Sequence, residues 1–322
     1  MRIPDLKDVI LAQKRINPYL KKTQLNTYPK LNEYLGCQAY VKHENHQPTG
    51  AFKIRGGINL ISQLSEDERK RGVITASTGN HGQSIALASK LFGIKAIVCV
   101  MEDANPDKVA AIRNFGAEII SEGKDYDDAR ENAERLAKEH GYRYIHSGNE
   151  PLLISGVGTM ALEIIEDEPE LDVVFTPVGA GTNCAGTAIV YKALSPETDI
   201  VAVQTKNAPS VYLSWKSGDL ESTKTANTIA DGLATRQAFE LPVKIMRELV
   251  DDFILVSDEE IMNAIKIYVE MCHSIAEGAG AAPLAAAIKK RKDLKNKRIG
   301  LILSGGNITF ENLLNSLTKN TI

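Results

Sequence analysis

Lys53 stands in the segment HENHQPTGAFKIRGG, residues 43 to 57, where Pro48, Thr49 and Gly50 form a turn that delivers Phe52 and Lys53 into a following helix. A cation at a helix start opposes the helix dipole, and burial disfavours it further, so both effects lower the lysine pKa toward a nucleophilic amine. In isolation the same lysine reads as a solvated surface charge. A second segment, ASTGNHGQS at 76 to 84, follows a strand near Val73 to Ala76 and precedes a helix running toward Phe92. Its outward N–H groups, the Ser77 and Thr78 hydroxyls and the Asn80 amide suit an anion such as a substrate carboxylate. A strand-to-helix turn with a capping serine explains the segment equally well.

The third segment, VGAGTNCAG at 178 to 186, also leaves a strand and opens a helix, with Gly179 and Gly181 allowing close backbone approach to a phosphate. Its third glycine falls at Gly186, off the G-x-G-x-x-G spacing, and the next strand ends in Gln204, where a ribose-binding carboxylate would be needed. A monophosphate fits better than a dinucleotide, and with no lysine after the glycines the Walker pattern is absent. The fourth segment, LILSGGNIT at 301 to 309, is a buried strand ending in Ser304. A serine there can exchange a hydrogen bond with a ring nitrogen without imposing a charge, although an ordinary SGGN turn explains it too.

These segments need strands to present them. Short β-branched runs at KAIVCV (95), VVFTP (173), IVAVQ (200), FILV (253) and IGLIL (299) alternate with helical patterns, which predicts parallel sheets covered by helices. Ser257 and Glu260 form a capping box ahead of Ile261, Ile265, Tyr268, Val269 and Cys272, a helix with a packing role. In such folds ligands sit beyond the carboxyl ends of strands, where the glycine-rich loops fall.

The 322 residues are enough for two lobes, and the absence of a Gly/Ser-rich or Pro-rich linker predicts that they interweave. A net charge of -3 with interspersed signs offers no footprint for nucleic acid. The apolar runs are too short to span a bilayer, and the N-terminal MRIPDLKDVILAQKR reads as a helix and not as a signal peptide. Cys37, Cys99, Cys184 and Cys272 lack zinc spacing and read as buried small hydrophobes in a reducing cytoplasm. The expected partner is a small, soluble substrate, with neither nucleic acid nor membrane.

Taken in order, PTGAFKIRGG, STGNHGQ, NTIADG, EGAGA and LSGGN resemble the fold-type II pyridoxal-phosphate enzymes, and most closely the serine/threonine dehydratase (threonine ammonia-lyase) and serine racemase group. The resemblance covers nearly the whole chain. It implies an α/β fold of the tryptophan synthase β type: two open, parallel-type sheets covered by helices, with the active site between the lobes. Residues 1-52 and 149-322 would form the large cofactor-binding domain, and 53-148 a small domain carrying the asparagine loop. Lys53 would carry pyridoxal 5'-phosphate as a Schiff base and act as the base at the substrate Cα, flanked by Phe52. Asn80 would bond the cofactor 3-oxygen, and Ser77, Thr78, Gly79, Asn80 and His81 would hold the substrate carboxylate. Gly179, Ala180, Gly181, Thr182 and Asn183 would cradle the phosphate, and Ser304 would contact the pyridine nitrogen. The implied reaction is dehydration of L-threonine, L-serine or a related β-hydroxy amino acid to a 2-oxo acid and ammonia, in a cytoplasmic homodimer or higher homo-oligomer.

The chain departs from that group in several places. Thr78 replaces the serine that serves racemases as the second acid/base, which favours elimination over racemisation. The phosphate loop has Ala180 and Thr182 where relatives often have glycine. Gln204 and Ser210 replace the acidic residues of the racemases' divalent-metal site, so no metal is expected there, and Gln204 reads as capping a strand. His43 and His46 read as packed histidines bonded to backbone, with general acid or substrate contact as the alternative. Arg236 reads as solvated, with an extra substrate carboxylate as the alternative. The chain ends soon after Ser304, so isoleucine feedback through an extra C-terminal domain is not expected. A cysteine-synthase-like enzyme is the main rival and would have threonine in place of His81. A non-catalytic amino-acid sensor or an NAD oxidoreductase accounts for less of the pattern.

Overall fold

The computed structural model describes residues 2–124 and 126–318. Its larger sheet contains β1 (Leu25–Thr27), β2 (Gln38–His43), β7 (Val173–Pro177), β8 (Asp199–Thr205), β9 (Asp252–Val256) and β10 (Arg298–Leu303), in the order β1-β2-β10-β7-β8-β9. The smaller sheet contains β3 (Val73–Ala76), β4 (Ala96–Val100), β5 (Glu118–Ser121) and β6 (Arg143–Tyr144), in the order β5-β4-β3-β6. All five predicted apolar runs are strands, and so is the Val73 segment. Among the described strands every pairing is parallel except one: β1 runs antiparallel to β2, with Leu25 opposite Lys42. Three residues at a sheet edge are too short to show a period, which is why β1 escapes a reading of the sequence.

Buried strands of a parallel sheet must be apolar on both faces because helices cover both. β7 shows this directly. Val173 and Phe175 face one core with Val203, Leu301, Tyr268 and Leu284. Val174 faces the other, with Ile200, Ile302 and Ile189. The two-residue period of the strand thus divides one apolar run between two layers. The expected capping box is present: Ser257 Oγ accepts from the Glu260 N–H, and the Glu260 carboxylate accepts from the Ser257 N–H at 2.6 Å. The N-terminal segment forms the helix Leu6–Ile16, and all four cysteines are free and buried.

The helix that begins at Lys53 (Lys53–Ile61) packs against the long helix Pro151–Asp167 at a point where only glycines fit. A Cβ on Gly156 would lie 2.7 Å from Gly56 Cα. Beside that contact lies a buried ionic cluster. The Arg55 guanidinium makes paired 2.7 Å hydrogen bonds to both oxygens of Glu44 and to both oxygens of Glu163. Lys42 Nζ meets Glu163 Oε2 at 2.6 Å and the Thr23 carbonyl at 2.8 Å. Two cations and two carboxylates, all nearly solvent-free, hold the lysine helix to β2 and to the long helix.

Candidate active site

The loops after β3, β7 and β10 open into one cavity of about 510 Å³, at the carboxyl ends of the strands. Phe52, Lys53, Ser77, Thr78, Gly79, Asn80, His81, Gly179, Ala180, Gly181, Thr182, Asn183 and Ser304 all line it. Segments spread over 250 positions of sequence therefore meet, because each leaves a parallel strand at the same end or packs beside one.

Lys53 is the first residue of its helix and lies part-buried in the cavity wall. Its amine donates to Thr182 Oγ1 at 3.0 Å and sits 5.2 Å from the centre of the Phe52 ring. Burial lowers its pKa to about 8, so about a tenth is neutral amine at pH 7, where an ordinary lysine is almost wholly charged. The Phe52 N–H donates to the Ser304 carbonyl at 3.0 Å, and Ala51 bridges Gly305, so the lysine segment is tied to the end of β10.

The glycine loop has the geometry a phosphate requires. Gly181 adopts φ +90° as the N-cap of the helix Thr182–Leu194, a conformation costly for other residues. A Cβ on Gly179 would stand 2.0 Å from the Gly232 carbonyl oxygen. The buried Asn183 accepts from Thr176 Oγ1 at 2.7 Å through Oδ1, while its Nδ2 has no partner among the described residues. A buried donor left unpaired is costly, and an anion at this helix start would satisfy it.

Across the cavity the helix Asn80–Leu91 starts at Asn80. Asn80 Nδ2 donates to Glu277 Oε1 at 2.8 Å, and Asn80 Oδ1 accepts from Asn307 Nδ2 at 2.7 Å. His81 lines the wall, but its Nε2 is 3.0 Å from Thr75 Oγ1, which itself donates to the Ile145 carbonyl at 2.7 Å. The Thr75 hydroxyl is therefore the acceptor and His81 carries hydrogen on Nε2. Burial, reinforced by the Lys53 charge, pushes the His81 pKa down to about 3, so the ring is neutral.

Glu277 belongs to the EGAGA segment but carried no role in the sequence reading. It is 9% exposed, and burial raises its carboxyl to about 7. The only sequence signal was its position immediately before a helix. Lys108 and Asp231 were missed as well. They form an ion pair at the cavity rim, between the helix Pro106–Asn114 and the short helical turn Asp231–Leu233.

Arg236 is exposed, as expected of a solvated arginine, and it also lines the cavity rim, where it pairs with Asp127 on the helix Tyr126–His140 of the other sheet layer. His43 and His46 do not line the cavity. Their rings stack at 4.9 Å, and the His43 Nε2 partner is the Tyr28 hydroxyl at 2.8 Å, a side chain where backbone was expected. Gln204 caps a helix instead of a strand: its Oε1 accepts from the Tyr212 N–H at 3.0 Å, in the first turn of Ser210–Ser217. Among the described residues no group of three or more His, Cys, Asp or Glu could hold a metal.

A lysine amine partly neutral near physiological pH, facing a loop shaped for a single phosphate, defines an enzyme whose cofactor is a phosphorylated carbonyl compound. The family described as pyridoxal-phosphate dependent enzyme matches residues 16–305, and the chain belongs to it. An L-threonine ammonia-lyase from Thermotoga maritima is 41% identical over 303 residues, 94% of this chain and 75% of that protein. An L-threo-3-hydroxyaspartate ammonia-lyase from Saccharomyces cerevisiae is 39% identical over 311 residues, 97% of this chain and 95% of that one. The structure of maize serine racemase superposes with a TM-score of 0.92 at 34% identity, covering 98% and 97% of the two chains.

Proposed function

We propose that this chain is an ammonia-lyase that removes the β-hydroxyl and the amino group of L-threonine, L-serine or a related β-hydroxy amino acid, yielding a 2-oxo acid and ammonia. The observation that carries this reading is Lys53: a desolvated amine with pKa lowered to about 8, in one cavity with the Thr78 loop and the glycine loop. Pyridoxal phosphate, when bound, supplies a carbonyl for amines and an acceptor for the electron pair left at the substrate Cα. The Gly179–Asn183 loop and the start of its helix would hold the phosphate, Asn80 the 3-oxygen and Ser304 the ring nitrogen. The N–H groups and hydroxyls of Ser77 to His81 hold the substrate carboxylate, which aligns the Cα hydrogen with Lys53.

Lys53 takes that hydrogen as a proton. The electron pair then forms the Cα–Cβ double bond as the β-oxygen leaves with a proton as water. The released enamine takes up water and gives the oxo acid and ammonia. The ammonia-lyase relatives named above support this reading. Ser304 is neutral, so the ring it contacts is a weaker electron store than a carboxylate-paired ring, which favours prompt elimination. The same reading assigns residues 1-52 and 149-322 to the cofactor-holding domain and 53-148 to the small domain, consistent with β3 to β6 lying between 73 and 144. It also places the enzyme in the cytoplasm as a homo-oligomer. No described helix is long and apolar enough to cross a membrane.

A panel of β-hydroxy amino acids assayed for 2-oxo acid release tests the reaction. Release from at least one member is expected, and none from any, with cofactor bound, rejects it. The likeness to serine racemases makes racemisation the second reading, and Thr78 on the cavity wall is the hydroxyl that would serve it. L-serine incubated in deuterated water separates the two: pyruvate without D-serine supports the lyase.

A further inference from the structure

An asparagine amide can rotate by half a turn and exchange its oxygen and nitrogen with almost no change of shape, so a site that depends on one orientation must enforce it. Here the enforcement is traceable to the backbone. The Thr49 carbonyl can only accept, and it takes Asn307 Nδ2 at 2.8 Å. That nitrogen also donates to Asn80 Oδ1 at 2.7 Å, which turns Asn80 Nδ2 toward Glu277 Oε1 at 2.8 Å. One of the two Asn80 Nδ2 hydrogens is thereby used and the other is left for the cavity. Thr49 lies four residues before Lys53, and Asn80 starts the helix across the cavity, so the same series of bonds registers the lysine segment against the asparagine loop.

Two glycines make room for it. A Cβ on Gly50, already at φ +67°, would stand 2.5 Å from Asn307 Oδ1, and one on Gly305 would stand 2.6 Å from Glu277 Oε1. Gly50 and Gly305 belong to two of the motifs first noticed in the sequence, and the space they leave is filled by the side chains that hold Asn80.

We propose that Glu277 and Asn307 are positioning residues that fix the Asn80 amide with its nitrogen toward Glu277 and its spare hydrogen toward the cofactor. This rests on the reading of Asn80 as a cofactor contact, and it does not depend on which amino acid is the substrate. The groups facing Glu277 are the Asn80 amide, Lys108, Asp231 and the Asn307 N–H. An acceptor oxygen is what Asn80 requires there, so glutamine suffices and alanine does not.

The test compares Glu277→Gln and Glu277→Ala holoenzymes for pyridoxal phosphate dissociation constant and for the visible absorbance and circular dichroism of the bound cofactor, alongside kcat. For Glu277→Ala, cofactor affinity is expected to fall about 5- to 100-fold, the range for an orphaned buried donor, with a weakened visible dichroism band. Glu277→Gln is expected to restore both to within about threefold of the wild type. If alanine leaves affinity and dichroism unchanged, or if glutamine behaves like alanine in a folded protein, the proposal is wrong. Should Glu277→Ala not fold, Asn307→Leu cuts the other side of Asn80 and carries the same expectation. A wild type that binds cofactor normally yet releases no oxo acid would reject the lyase reading and leave this one standing.

Discussion

Lys53 Nζ donates to Thr182 Oγ1 at 3.0 Å, so the first residue of one helix meets the first residue of another. Two helix starts converge on a single amine, and their partial positive charges act in the same direction as the burial that lowers its pKa to about 8. The amine is therefore neutral and nucleophilic above that pH and increasingly protonated below it. Schiff-base formation between Lys53 of the cofactor-free protein and added pyridoxal phosphate, followed by absorbance and mapped by borohydride trapping and peptide mass, is expected to accelerate as pH rises through about 8. Lys53→Arg, permanently charged, is expected to trap nothing and to lose on the order of 10⁴-fold or more in turnover. Trapping on another lysine would remove Lys53 from its role.

The glycine loop predicts a steric result. In Gly179→Ala the new methyl would stand 2.0 Å from the Gly232 carbonyl oxygen, so the turn Asp231–Leu233 must move. A loss of about 1–3 kcal/mol is expected in urea unfolding, together with weaker cofactor binding. Ala180→Gly, by contrast, should bind cofactor nearly as the wild type does.

The buried cluster around Arg55 makes a larger prediction. Removing the guanidinium in Arg55→Leu leaves two nearly solvent-free carboxylates with one cation beside them: Lys42 still pairs with Glu163, while Glu44 keeps only the neutral donors Thr23 and Gln47. Breaking a buried pair in this way costs about 3–5 kcal/mol. Denaturant unfolding at neutral pH measures it, and a loss below about 1 kcal/mol would show that the cluster contributes little.

Stability against pH contains two terms of opposite sign. His81 and His43 are held neutral by burial, with pKa lowered to about 3 and about 4. The stability they contribute is complete above the unfolded value of roughly 6.5 and is lost as pH falls toward 4. Glu277 is raised to about 7, so its contribution is complete below the unfolded value of about 4.5 and is lost as pH rises through 7. Glu277→Gln is expected to gain stability relative to wild type between pH 5 and pH 8, on the order of the shift in those values. Melting temperatures across that window check both terms, and a constant difference would exclude Glu277 as the source.

At the cavity rim, Lys108 with Asp231 and Arg236 with Asp127 join the helices of one sheet to the loops of the other. Partly exposed pairs contribute about 0–1 kcal/mol and weaken as salt shortens the Debye length from ~10 Å at 0.1 M to ~3 Å at 1 M. The salt dependence of KM is expected to diminish in the double variant Asp127→Asn, Arg236→Gln, with thermal stability nearly unchanged. An identical salt dependence would detach these pairs from substrate access.

The four motif segments were readable because each combines a local conformational requirement with a chemical group: a turn before Lys53, glycines after β7, a serine at the end of β10. The strands were readable because a doubly covered parallel strand is an unbroken apolar run. Glu277 and Asn307 were visible as letters in EGAGA and LSGGN, yet no local property distinguishes them from a helix cap and a turn residue. The rim pairing of the exposed Arg236 is illegible for the same reason, since its partner Asp127 is 109 positions away.

The alternation of strands and helices, the lysine and the glycine-rich loop are written locally, because they depend on backbone conformations and periodicities encoded within a few residues. The desolvation of Lys53 against Thr182, the locking of Asn80 between Glu277 and Asn307, and the enclosure of Arg55 by two carboxylates arise on folding. Those outcomes depend on distances between residues far apart in the chain. Desolvation and hydrogen bonding act over a few ångströms of space, and no local pattern encodes which remote atoms will occupy them.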